Sequence, residues 1–419
     1  MSVTSDNDAL LGQVVGHFGG QAPQRLGIAV SGGSDSTALL KLCIDWARAG
    51  GPEIHAVTVD HQLRPEAADE AKQVGILCQV LNVPHDILNW TGWEGIGNVS
   101  DQARRARYAL MVEWGHSKGV SEIAIGHTLD DQAETLLMRL ARQAGLDGLA
   151  AMSARWHQDG IVFHRPVLQA SRADLRRYLN DNGTPWIEDP SNQDDTYRRV
   201  RARDAVGMLE PVGITAEGLA AVASHLADAR ATLGHYAAQE ARKIVSFHIG
   251  DVVIDQKGFA DLLPDMSRRI LQSALKWING ADYGARGQAV ERALSAIARG
   301  ENTTLQGCLI SVTRECVRIS REFSAVEHII CPVDNLWDGR WALCGAESEG
   351  LEIRALGSEG RILCPEWRDA GLPIGTIEAS PAIWRGDVLV AAPLAGMTNF
   401  WSAKLCRDEI DYYSTLLSH

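Results

Sequence analysis

The stretch Gly27-Ile-Ala-Val-Ser31-Gly32-Gly33-Ser34-Asp35-Ser36-Thr37 constrains the fold more than any other. It joins an apolar, β-rich run, Leu26–Val30, to a helical pattern over Asp35–Ala49. In that pattern Leu39, Leu40, Cys43, Ile44 and Ala47 recur at helical spacing. A strand that turns through two adjacent glycines into a helix sets amides and hydroxyls at the positive helix end, where an anion binds. An ordinary capped turn uses the same residue types, so loop composition alone leaves both readings open. Its place directly after an apolar run favours the anion site. The nucleotide form GxxxxGK(S/T) needs a lysine that Ser31–Thr37 lacks, and GxGxxG is also absent there.

Around this loop the first ~200 residues alternate strand-like and helical segments. Ile54–Val59 and Glu122–Gly126 are runs of buried-strand length, while Pro65–Leu81 opens with proline at a first helical position. Ser100–Ser117 carries an Ala/Leu/Met face. Strands separated by helices imply βαβ units, hence an α/β fold with a parallel sheet and helices on both faces. Pro211 and Gly213 interrupt that pattern. From Glu217 to about Val245, Leu219, Val222, Leu226, Ala229, Leu233 and Tyr236 mark one long amphipathic helix. Helices are expected near Gly258–Asn279 and Gly287–Arg299, strands across Thr303–Arg321, and a Gly-, Pro- and Trp-rich tail with short β runs such as Asp387–Ala391. The expected organisation is an α/β domain over 1–210, a mainly helical domain over 211–325 and a small β-containing domain over 326–419.

Composition narrows the class. With 45% hydrophobic and 22% charged residues in 419, the chain suits a folded protein and excludes long disorder. No run approaches the ~18 uncharged apolar residues of a membrane span, and the N-terminus lacks the basic and apolar regions of a secretory leader. The eight cysteines include no CxxC pair, which argues against zinc, an iron–sulfur cluster or a disulfide framework and fits a reducing cytoplasm. The net charge of −13 weighs against a nucleic-acid partner. Its distribution weakens that objection: residues 322–419 hold 7 basic against 15 acidic side chains, whereas 139–203 hold 11 arginines against 8 acids.

Further motifs follow in order. Val59-Asp60-His61-Gln62-Leu63-Arg64 ends a strand, and Ala103-Arg104-Arg105-Ala106-Arg107-Tyr108 lies in a helix. Gly126-His127-Thr128-Leu129-Asp130-Asp131-Gln132-Ala133-Glu134-Thr135 follows a strand and starts a helix, so Asp131 and Glu134 share one helical face. Trp186-Ile-Glu188-Asp189-Pro190-Ser191-Asn192 precedes Arg199, Arg201 and Arg203. Each taken alone has a plain structural reading: first-turn acids at a helix N-terminus, arginines on a solvated face, a turn histidine.

Taken as an ordered set over 26–203, and more loosely to 322, these motifs resemble the tRNA(Ile)-lysidine synthase family of the PP-loop (N-type ATP pyrophosphatase) superfamily. One departure is Arg199-Val200-Arg201-Ala202-Arg203 where the family has RNRIR, so any contact by that Asn is lost. The resemblance implies a ligase that splits ATP between its α and β phosphates. The C2 oxygen of the wobble cytidine in a CAU-anticodon tRNA(Ile) becomes adenylated and pyrophosphate leaves; free L-lysine then attacks C2 and expels AMP. It further implies ATP binding by Ser31, Gly32, Gly33, Ser34, Asp35, Ser36, Asp60, His61, Gly126 and His127, with Mg²⁺ on Asp35. Arg107, Asp131 and Glu134 would recognise lysine, and Asp35, Asp131 and Arg107 are the candidate catalytic set. His61 and His127 are left between phosphate contact and acid–base work.

An anticodon loop needs phosphate contacts and stacking platforms. Arg172, Arg176, Arg199, Arg201 and Arg203 are the candidate tRNA contacts, with Arg139, Arg142 and Arg165 behind them. Trp156 and Trp186 are read first as buried and second as platforms. The expectation is a cytoplasmic enzyme with no membrane partner and with room for a homodimer. Its rivals are a PP-loop tRNA thiolase, a small-molecule synthetase of that superfamily and a tRNA-binding protein without catalysis. The thiolase reading lacks a CxxC pair, and the intact Ser31–Ser36 loop argues against the last.

Overall fold

A computed structural model describes residues 3–19, 21–63, 66–91, 99–188, 198–281, 284–345 and 349–417; Arg64, Pro65 and 189–192 of the motifs above lie outside them. The chain forms two compact units, Met1–Asp228 and Ala229–His419, with the division falling inside one long helix, Ala216–Ile244.

The first unit is built on six strands, β1 (Arg25–Ala29), β2 (Glu53–Asp60), β3 (His85–Asn89), β4 (Glu122–Ile125), β5 (Arg155–Gln158) and β6 (Ile161–His164), in the order β3-β2-β1-β4-β6-β5. All neighbours run parallel except β5, which pairs antiparallel with β6 at the edge. The helices are α1 (Val3–His17), α2 (Ser34–Arg48), α3 (Ala67–Val80), α4 (Val99–Lys118), α5 (Leu129–Leu140), α6 (Leu146–Leu149), α7 (Arg172–Asp181), α8 (Arg198–Leu209) and α9 (Ala216–Ile244). Successive strand residues point to opposite faces, and the cores divide accordingly. Ile28, Ala56 and Ala124 pack with Leu39, Leu42, Leu175 and Leu179, while Val57, Ile123 and Ile125 pack with Met111, Trp114 and Phe163. The parallel sheet with helices on both faces is therefore borne out. Each fully buried leucine of α2 contributes roughly 1.5–3 kcal/mol to holding that helix, and the loop before it, in place.

The second unit carries a five-stranded antiparallel sheet formed by β7 (Val245–His248), β8 (Asp251–Asp255), β9 (Thr303–Leu305), β10 (Cys308–Val312) and β11 (Cys316–Arg321). Its core includes Ile270, Leu271, Ala274 and Ile278 with Val290 and Ile297. The single helix expected near 258–279 is instead two, Gln256–Ala260 and Pro264–Asn279. Asp255 caps the first through a 2.6 Å bond from the Gly258 amide, and Pro264, at the start of the second, cannot continue a preceding helix. Toward the C-terminus a four-stranded and a two-stranded sheet enclose Trp337, Trp341 and Trp401; Trp367 and Trp384 are buried beside them, so all five tail tryptophans are core. Among the described residues no single helix is long and apolar enough to cross a membrane.

Candidate active site

The loop between β1 and α2 is fixed by its own hydroxyls. Ser36 Oγ accepts the Ser31 amide at 3.1 Å, donates to the Gly33 carbonyl at 3.1 Å and meets Ser31 Oγ at 3.1 Å. Gly32 has φ 89°, the left-handed region that disfavours side chains, and its carbonyl accepts Thr37 Oγ1 at 3.2 Å. Among the described residues no side chain caps α2, so its first-turn amides are left to solvent or an anion. Gly126, at the end of β4, comes so close that a Cβ there would lie 2.9 Å from Ser36 N and Cα. Both glycines are thus demanded by geometry.

At the carboxyl end of β2, Asp60 is buried and its Oδ1 accepts the Gln62 amide at 2.8 Å, bending the chain through Gln62 at φ 53°. His61 meets Trp90 edge-on at 5.9 Å. Burial, then the Arg107 charge, lowers its pKa. His61 Nδ1 and Arg107 Nε are buried without a hydrogen-bond partner among the described residues. Burial also lowers the Arg107 pKa, aided by the charges of Arg104 and Arg199. A buried guanidinium with an open N–H is suited to a carboxylate or phosphate supplied from outside.

Asp131 uses its two oxygens differently. Oδ2 accepts the Thr128 amide at 2.8 Å in a capping box that starts α5, while Oδ1 accepts Arg172 Nη2 at 3.0 Å and Arg199 Nη2 at 2.9 Å. One carboxylate thus starts the helix with one oxygen and holds two guanidiniums with the other. Glu134, one turn on and 1% exposed, accepts Arg199 Nε at 2.8 Å, Arg203 Nε at 2.9 Å and Arg172 Nη1 at 3.3 Å. Arg172 also reaches Asp35 Oδ2 at 3.0 Å, and its amide donates to Asp130 Oδ2 at 2.7 Å. Burial would lower the Arg172 pKa, but Asp35, Asp131 and Glu134 together raise it. Burial raises that of Asp35, with the Asp131 charge adding to it against the Arg172 pairing.

The structure therefore brings Asp35, Asp131, Glu134, Arg172, Arg199 and Arg203 into one ion-pair cluster. Arg201 stands apart: two residues along a helix is about 200° of rotation, and it is exposed. Arg176 donates to Ser34 Oγ at 3.3 Å and to Glu188 Oε2 at 3.2 Å, linking α7 to the loop. Arg139 is used structurally, donating to the Gly148 and Ala150 carbonyls at 2.8 and 3.1 Å. Trp156 stacks on buried Phe163 at 5.0 Å, and Trp186 donates to Glu188 at 2.8 Å. Asp130 was not legible as a site residue; its signal is its place beside Asp131 in the same first turn.

The PP-loop domain family model matches residues 6–209. Over 419 residues, 100% of both chains, the protein is 46% identical to the tRNA(Ile)-lysidine synthase of Ruegeria pomeroyi. A protein of that name from a Bradyrhizobium species is 35% identical over 319 residues, covering 70% of this chain and 89% of that one. Another, from Wolbachia pipientis wMel, is 33% identical over 339 residues, with 78% and 79% covered. A match running end to end at this identity, carried on a phosphate-loop domain with the geometry above, means that the chain belongs to the tRNA(Ile)-lysidine synthase family.

Proposed function

We propose that this protein joins free L-lysine to C2 of the wobble cytidine of a CAU-anticodon tRNA(Ile), using ATP and releasing AMP and pyrophosphate, in the cytoplasm where those substrates meet. The end-to-end likeness to relatives of that name carries the reading. The tRNA then pairs with AUA and is read as isoleucine.

In the first step the C2 oxygen attacks the α-phosphorus and the bond to the β-phosphate oxygen breaks. The loop Ser31–Ser36 and the open amides of α2 would hold the departing pyrophosphate, whose charge the helix dipole favours. Gly126 and His127 line the neighbouring strand end, with Asp60 and His61 across the sheet edge. Asp35 fits a Mg²⁺ ion: a hard oxygen ligand whose carboxylate is disfavoured by burial and by the Asp131 charge. One carboxylate with phosphate and water oxygens suits that ion, which supplies charge neutralisation on the triphosphate.

In the second step the lysine amine attacks C2, the C2–O bond breaks with AMP as leaving group, and the amine loses a proton. Arg107, with its open Nε–H, is proposed for the lysine carboxylate, and Asp131 with Glu134 for an ammonium. Arg199 and Arg203 hold those acids in the free protein, so lysine must exchange with a guanidinium there. Arg201 and Arg176 are proposed for tRNA phosphates. The division into 1–210 for catalysis, 211–325 for tRNA positioning and 326–419 as a packed tail is proposed with them.

The test is product identity. With both lysine and the CAU tRNA present AMP and pyrophosphate should form in equal amounts, and with the tRNA alone the reaction should stop at the adenylate, with pyrophosphate but no AMP released. ADP and phosphate as products would overturn the adenylate route.

A further inference from the structure

We propose that Arg165 is a positioning residue that fixes His127 as an imidazole protonated on Nε2 alone, so that His127 offers the active site a hydrogen-bond donor and neither gives nor takes a proton. The inference deepens the proposed reaction and rests on it only for the oxygen that His127 would meet.

The geometry is one-sided. Arg165 Nε lies 3.0 Å from His127 Nδ1, and a guanidinium N–H can only donate. Nδ1 must therefore present its lone pair, which leaves the single proton of the ring on Nε2. Protonating Nδ1 would set two N–H groups against each other. Arg165 cannot turn away to relieve this. It is 6% exposed, its guanidinium lies 4.0 Å over the Trp156 ring, and its Nη1 donates to the Ser153 carbonyl. Trp156 is itself stacked on Phe163, which is fully buried.

The surroundings act in the same direction. The charges of Arg165, Arg199, Arg107 and Arg104 all oppose a positive charge on His127. Burial first, and those four charges second, hold the imidazole well below its ordinary pKa. The one side-chain hydrogen bond of His127 among the described residues is that at Nδ1, which leaves Nε2–H for a substrate oxygen. Its position brings it beside the phosphate loop: His127 follows Gly126, where an added Cβ would lie 2.9 Å from Ser36 and 3.0 Å from Asp35 backbone atoms. A neutral N–H held in place beside developing negative charge on phosphate or on the C2 oxygen stabilises that charge with little reorganisation. A histidine held in this state cannot accept the proton of the attacking amine, so that proton leaves to a carboxylate or to water.

Long-range proton–nitrogen NMR of the full-length protein with ¹⁵N-histidine, between about pH 5.5 and 8.5, reads the tautomer directly, with H127Q identifying the signal. The expected result is a bare Nδ1 and a protonated Nε2 that do not move across that range. Arg165→Lys, which keeps a donor, should preserve the pattern, and Arg165→Glu should shift the proton to Nδ1 and bring the ring into titration. In ATP–pyrophosphate exchange H127A and R165E should each lower kcat on the order of 10²-fold, and R165K far less. A wild-type ring that titrates near its ordinary value, or carries its proton on Nδ1, overturns the proposal. So does a loss of rate in R165E with the tautomer unchanged. If R165E does not fold, the wild-type series and R165K still decide. Because nitrogen shifts need no turnover, failure here is distinct from failure of the lysine-ligating reaction.

Discussion

Arg199 reaches Glu134 Oε2 through Nε at 2.8 Å and Asp131 Oδ1 through Nη2 at 2.9 Å, so one guanidinium spans both acids proposed to receive lysine. Arg203 and Arg172 complete the ring of positive charge around Glu134. The free protein thus holds its own cations where a substrate ammonium is proposed to bind.

Competition of this kind has a measurable sign. Arg199→Ala removes a partly exposed ion pair worth about 1 kcal/mol, so the KM for lysine should fall roughly fivefold. Steady-state kinetics in lysine at saturating ATP and tRNA check this. A KM that rises would mean that Arg199 assists lysine binding.

Arg172 is the hub of the cluster. It pairs with Asp35, Asp131 and Glu134 while 15% exposed, and Glu134 is 1% exposed. Arg172→Met leaves buried carboxylates undercompensated, and a loss of about 3–5 kcal/mol is expected in urea denaturation. Adding Glu134→Gln should restore part of that stability, whereas additive losses would show that the two do not interact.

The legibility of these features follows sequence distance. The strand, turn and helix around Gly32 are written in adjacent residues, as is the capping box of Thr128 and Asp131, and both could be read directly. The grip of α8 on α5 joins residues 65 or more apart, and the RxRxR spacing sets Arg201 apart from Arg199 and Arg203 only once the segment is known to be helical. The antiparallel edge strand β5 was likewise hidden, because RWHQ is short and polar. The β7–β8 hairpin turns through Ile249 and Gly250 at φ 48° and 84°, and a β-branched residue there disguises the turn. The break before Pro264 is masked in the sequence because apolar residues continue across it.

Gly126 tests the loop's packing. In Gly126→Ala the added Cβ would sit 2.9 Å from Ser36 backbone atoms, which cannot yield as a side chain end would. Overpacking of about 1–3 kcal/mol is expected, with loss of ATP–pyrophosphate exchange in a protein that still folds by circular dichroism. Full exchange activity would show that the loop relaxes freely.

Acid should weaken the first unit. Burial lowers the pKa of His17 and His85, and brings that of His164 to about 4. Above the unfolded value near 6.5 both states are neutral and stability is complete; as pH falls below it the unfolded chain takes up protons first. Stability is then lost progressively down to about pH 4, with His164 alone accounting for about 2–3 kcal/mol at that end. Urea midpoints measured from pH 7.5 to 4.5 should fall, and H164N should show a shallower slope. An unchanged slope would remove His164 as a cause.

Arg201 is exposed and stands off the acid cluster, so Arg201→Glu isolates RNA binding from the active-site ion pairs. Affinity for the CAU tRNA should fall about tenfold, with a shallower salt dependence. Unchanged affinity would free Arg201 from the RNA surface.

The central claim is that lysine is joined to one particular tRNA. It is tested most directly by incubating the protein and Mg-ATP with radiolabelled lysine and CAU-anticodon tRNA(Ile), with elongator methionine tRNA as control. Label is expected in the isoleucine tRNA alone and is lost in Asp35→Ala. No label in a tRNA shown to bind, or equal label in both, would contradict it.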